Sequence, residues 1–120
     1  MPAVPRASIK STAPLPSLRK SAPVFAALGD ETRLRLIALL CAGGAASISQ
    51  LTGGTDVTRQ AVTRHLQVLA GAGLVRDVKI GRERLWELDP AQMDEARRTL
   101  EVIAQHWDHA LGKLKTFVES

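Results

Sequence analysis

Apolar positions along the chain follow two periods, and the switch between them outlines the fold. From Ala22 the spacing is helical. Val24, Phe25 and Leu28 share one side of a short helix that Gly29 ends. Asp30 stands where an N-cap belongs, ahead of a second helix over about 31–42. Leu34, Leu36, Ile37, Leu39, Leu40 and Cys41 leave that helix almost no polar side, which predicts a central, buried helix with Cys41 as a small core residue. Gly43-Gly44 stops it. Ser47 caps a short helix carrying Ile48 and Leu51, which Gly53-Gly54 breaks. Thr58 then caps a helix over about 59–71. Its inward positions are Val62, Leu66 and Leu69, and its outward ones Arg59, Gln60, Thr63, Arg64 and Gln67.

After Gly71-Ala72-Gly73 the period drops to about two. Leu74, Val75, Val78 and Ile80 predict one strand, Gly81 a turn, and Leu85, Trp86 and Leu88 a second strand. A lone hairpin is marginal in water, so it must pack on the helices. Asp89-Pro90 opens a last helix that extends to about residue 119, some ~45 Å at 1.5 Å per residue. Met93, Ala96, Leu100, Ile103, Trp107, Leu111, Leu114 and Val118 form one stripe along it. That stripe outruns a domain whose radius is only ~13 Å. Part of it must be covered from outside, most economically by the same helix of a second chain. Leu100, Ile103, Trp107, Leu111 and Leu114 are therefore the expected dimer interface.

The length, 120 residues, fits one domain. No apolar run is long enough to span a membrane, and a single cysteine closes no internal disulfide; both fit a cytoplasmic protein. Residues 1–21 differ from the rest: Pro2, Pro5, Pro14 and Pro16 interrupt a serine-rich stretch with four bases and no acid, read as a disordered basic arm ahead of a domain over 22–120. The net charge of +4 says less than its placement. Residues 57–86 carry six bases against two acids, whereas residues 87–120 carry four bases against seven acids.

Helix, turn, polar-faced helix and basic hairpin make a winged helix-turn-helix: a mainly α fold with a small β-hairpin and a long C-terminal dimerisation helix. An α-helix fits the major groove of double-stranded DNA, where its exposed side chains meet base edges. Arg59 offers a fork to guanine and Gln60 one to adenine. Thr58 and Thr63 suit a phosphate or a thymine methyl, and Arg64 a phosphate or a base. His65, beside this face, hydrogen-bonds phosphate or supports packing. Lys79, Arg82 and Arg84 place charge on the hairpin, for the DNA backbone or a minor groove.

The run Leu28-Gly29-Asp30-Glu31-Thr32-Arg33-Leu34-Arg35-Leu36 resembles the opening helix signature of ArsR-type (arsenical-resistance repressor) winged-helix regulators. So do the segment from Thr58 through Leu69, the exit Ala72-Gly73-Leu74-Val75, and the wing Gly81-Arg82-Glu83-Arg84. The resemblance covers about residues 22–90 and, in kind, the terminal helix. It implies a homodimeric transcriptional regulator, most often a repressor, released from an operator of inverted half-sites by an inducer whose nature the sequence does not give.

Three departures qualify it. Glu31 replaces the usual proline. Residues 47–52 lack the Cys-x-Cys pair of the family's thiolate sensors. His106 and His109 stand three apart, like a donor pair of its zinc sensors, but Met93-Asp94-Glu95 lacks the accompanying histidine. The terminal pattern of Trp107, Leu111, Leu114 and Lys115 resembles a branch without an obvious metal site. No cofactor and no metal are therefore expected, and no nucleophile–base constellation suggests an enzyme. The alternatives are a zinc-responsive repressor using His106 and His109, and a winged-helix module that binds protein instead of DNA.

Overall fold

Periodicity anticipates the order of the elements. The computed structural model describes residues 18–119. Among them are helix α1 (Leu18–Leu28), α2 (Glu31–Gly43), α3 (Ile48–Gly53), α4 (Arg59–Gly71), strands β1 (Val75–Ile80) and β2 (Glu83–Leu88), and helix α5 (Pro90–Glu119). This is the expected mainly helical winged helix-turn-helix with a long C-terminal helix. One core serves all of it. Val24 and Ala27 of α1, Leu36, Ile37 and Leu40 of α2, Leu51 of α3, and Val62, Leu66 and Leu69 of α4 meet Leu74, Val75, Trp86 and Ala96.

Two expectations change. The boundary drawn after residue 21 falls inside α1, which starts at Leu18 and carries Pro23 in its interior. Proline there removes one backbone donor, but packing against α5 offsets it. Ser21 is buried, and its Oγ lies 2.8 Å from Thr99 Oγ1, which also donates to the Glu95 carbonyl. Tertiary contact overrides a locally unfavourable composition. The remainder of the basic arm, residues 1–17, lies outside the described residues.

The second correction concerns α2. It is not buried all round, because α1, α4 and β2 pack on one side of it only. Leu36, Ile37 and Leu40 form that side; Leu34 is half exposed and Cys41 is exposed rather than a core residue.

The hairpin pairs Val75 with Leu88 through Ile80 with Glu83, leaving Gly81 and Arg82 as a two-residue turn. Gly81 has φ +64° and no non-glycine residue among the described residues has positive φ, the pattern of a type II′ turn, whose twist suits a hairpin. Ala46 adds a bridge on the free edge of β2, exchanging both backbone hydrogen bonds with Trp86 (2.7 and 2.9 Å). That extra pairing and the burial of Trp86 hold the hairpin to the helices.

Helix α5 divides in two. Its first third packs on α1 and buries Ala96 and Thr99. From Leu100 onward no described residue is buried.

Candidate nucleic-acid interface

Helix α4 presents the face that its pattern predicts. Val62, Leu66 and Leu69 are buried, while Arg59, Gln60, Arg64 and Gln67 are exposed on the other side. Thr58 is the N-cap: its Oγ1 accepts the Ala61 backbone N–H at 3.1 Å, leaving its own hydroxyl proton free to donate outward. The Thr63 hydroxyl is committed the other way, donating to the Arg59 carbonyl at 3.0 Å. Thr63 therefore offers acceptor lone pairs and a methyl group. The turn from α3 is tight. Ser47 and Gln50 form a reciprocal capping box at the start of α3. At its end, a Cβ on Gly54 would lie 2.7 Å from Leu39 Cδ1, so the turn approaches α2 closely and a side chain there would have to displace the tip of Leu39.

On the wing, Lys79, Arg82 and Arg84 are all exposed. Lys79 and Arg84 are direct cross-strand partners. With Asp77 they line a shallow notch. Asp77 accepts an ion pair from Arg84 at 2.9 Å, and on the other face of the hairpin Arg76 pairs with Glu87 at 2.8 Å. That partner raises the guanidinium pKa of Arg76, through a hydrogen bond first and its charge second. Among the described residues, Arg59, Arg64, Lys79 and Arg82 have no carboxylate within 4.0 Å. These four side chains offer uncompensated positive charge on α4 and the wing.

His65 occupies a different position. Its side chain is only 23% exposed and turns toward the start of α2, where Nδ1 lies 3.2 Å from Arg33 Nη1 and 3.8 Å from Asp30 Oδ2. The other histidines, His106 and His109, are exposed on α5, with Asp94 and Glu95 about eleven or more residues earlier on the same helix, ~17 Å away at 1.5 Å per residue. No cluster of three or more His, Cys, Asp or Glu side chains able to hold a metal occurs among the described residues. No helix among them is long and apolar enough to cross a membrane.

Two residues of this region carry no local sequence signal for their role. Asp77 is opposed to the wing's cations, and only the hairpin register reveals it. Arg33 reaches α4 across 32 residues of sequence; the opening signature contains it, but no local pattern gives its target.

A helix-turn-helix domain family matches residues 28–78. The HTH-type transcriptional regulator Rv2034 of Mycobacterium tuberculosis is 34% identical over 94 residues, 78% of this chain and 84% of that relative. The arsenical resistance operon repressor of Escherichia coli is 34% identical over 67 residues, 56% of this chain and 57% of that relative. Among solved structures, an ArsR-like transcriptional regulator from Rhodococcus sp. RHA1 superposes with a TM-score of 0.67 at 40% identity, covering 82% of this chain and 92% of that one. A homodimeric winged helix-turn-helix DNA-binding domain from Mycobacterium bovis, a possible ArsR-family regulator, gives a TM-score of 0.57 at 25% identity, covering 88% and 87%. With its helix-turn-helix, its wing and relatives matched over most of their length, the chain belongs to the ArsR family of winged helix-turn-helix transcriptional regulators.

Proposed function

We propose that this regulator is a homodimeric, sequence-specific DNA-binding repressor that reads the major groove with α4 and touches backbone or minor groove with the β1–β2 wing. The observation that carries the reading is the face of α4 where Arg59, Gln60 and Arg64 are exposed and where, among the described residues, neither arginine has a carboxylate within 4.0 Å. Arg59 and Gln60 supply the planar forks that distinguish guanine and adenine. Thr58 donates to a phosphate from the N-terminus of α4, where the helix dipole favours an anion. Lys79, Arg82 and Arg84 neutralise phosphates beside the groove. Dimerisation through α5 is supported by its uncovered apolar stripe, and repression by the name of the Escherichia coli relative. Half-sites then lie about 10–10.5 base pairs apart or a multiple of that.

The test is a selection of bound fragments from genomic DNA, followed by titration over a salt series. About four phosphate contacts per chain in a dimer give a log–log slope near −7. Arg59→Ala relaxes specificity at one base position, whereas Arg82→Ala weakens all sequences alike. A flat salt response removes the phosphate contacts, and identical behaviour of the two variants removes the division of roles. A folded protein that retains no fragment is a protein-binding module instead.

A further inference from the structure

Three polar side chains meet where α1 ends, α2 begins and α4 passes. Asp30 caps α2, its Oδ2 accepting the Arg33 backbone N–H at 2.9 Å. The Arg33 side chain spreads in two directions: Nε donates to the Ala27 carbonyl at the end of α1, and Nη1 lies 3.2 Å from His65 Nδ1 on α4. Arginine has donors only, so a hydrogen bond between these two nitrogens makes Nδ1 of His65 the acceptor, with the ring proton on Nε2. The Asp30 carboxylate lies 3.8 Å from the same Nδ1.

We propose that Arg33 is a positioning residue for DNA reading: a strut from the end of α1 to His65 that fixes the rotation of α4 about its own axis. This rests on the reading of α4 as the recognition helix. The other inward side chains of α4, Val62, Leu66 and Leu69, are held by apolar contact, which is strong but non-directional. A hydrogen bond to an imidazole nitrogen sets an angle. His65 directly follows Arg64, so whatever fixes the ring fixes where Arg64 points, and Arg59 and Gln60 turn with it on the same rigid helix. A lysine at position 33 has one nitrogen and cannot span both acceptors in the plane of a fork.

The experiment uses the full chain and two readouts. Long-range proton–nitrogen NMR of the imidazoles reports the tautomer directly, without DNA. The strut requires the neutral His65 ring to carry its proton on Nε2 and not Nδ1, and in Arg33→Lys a shift toward mixed tautomers. The second readout is affinity for a selected operator against unrelated DNA. His65→Asn keeps an acceptor at the position of Nδ1 and should bind the operator within about twofold of the parent, while His65→Gln and Arg33→Lys should each lose about three- to tenfold, the range of one hydrogen bond. Losses confined to the operator, and non-additive in the double variant, are expected of one strut. A protonated Nδ1, tautomers indifferent to position 33, or the reverse order with His65→Gln binding and His65→Asn failing, would overturn the proposal; the last outcome would make His65 a phosphate donor through Nε2. If the parent binds no DNA, the proposed function fails and takes the strut's purpose with it, while the nitrogen signals report separately whether the strut exists.

Discussion

Asp77 and Arg84 show how a single carboxylate sets the availability of a cation. Lys79 and Arg84 are opposite one another across the hairpin, where like charges repel. Asp77, 2.9 Å from Arg84, relieves that repulsion in the free protein. Both partners are well exposed, so the pair adds little to stability. A DNA phosphate at Arg84 must nevertheless displace it. Asp77→Asn is therefore expected to tighten binding to all DNA sequences alike and to steepen the salt slope by up to about one unit. Salt-series titrations that leave affinity and slope unchanged would place Arg84 away from the phosphates. Asp30 gives a second prediction. The Arg33 backbone N–H, as the largest cause, holds its carboxyl below the ordinary value. The folded pKa thus lies under the unfolded one, so the stabilisation is complete above about pH 4 and is lost as pH falls through the lowered folded value. Asn caps a helix as well as Asp does but does not titrate. Melting temperatures of Asp30→Asn should fall less than those of the parent over this acid range, and parallel curves would show that Asp30 carries none of the acid dependence.

Helix α4 depends on Thr58 for its first turn, because the cap oxygen satisfies a backbone donor that has no partner within the helix. Thr58→Ala should cost about 1 kcal/mol of folding stability and Thr58→Ser almost nothing. Chemical denaturation separates the two, and equal stability of all three would mean that the cap is idle. The elements follow from local rules of this kind. Caps at Asp30, Ser47 and Thr58, glycine at 81 and the change from period 3.6 to period 2 place the helices and hairpin within a few residues. The exposed face of α4 is legible for the same reason, since Val62, Leu66 and Leu69 determine its opposite side. What local rules do not contain is which neighbour an element will find. Helix α1 begins four residues earlier than composition suggests because Ser21 meets Thr99. Helix α2, apolar on most sides, is covered on one only, leaving Cys41 outside. The target of Arg33 and the opposition of Asp77 to Arg84 arise only when chain segments far apart or paired in register are brought together.

At the scale of the whole molecule, helix α5 carries an unfinished surface. Leu100, Ile103, Trp107, Leu111, Leu114 and Val118 advance 18 positions in five steps, a mean spacing of 3.6 that keeps them on one face of α5. Each is between 45% and 72% exposed, although Trp107 and Leu111 are the kind of side chain that a core would take. A contiguous apolar strip of this size on a monomer marks an interaction site, and a symmetric dimer places the same strip on both partners. Leu111 is 46% exposed among the described residues, so Leu111→Glu should leave the monomer's fold and melting behaviour intact while placing an unpaired carboxylate in the proposed dimer interface. Sedimentation should then move from about 26 kDa, twice the 12.9 kDa chain, toward the monomer mass. DNA binding provides the sharper measure. A dimer engages its second half-site as an intramolecular event, with a gain of about 10²–10⁴ that a monomer forfeits. Leu111→Glu should therefore bind a full operator no better than a single half-site, with α4 and the wing unaltered. A parent protein that is monomeric at micromolar concentration, or a variant that still distinguishes two half-sites from one, would mean that α5 is covered by something other than its own copy.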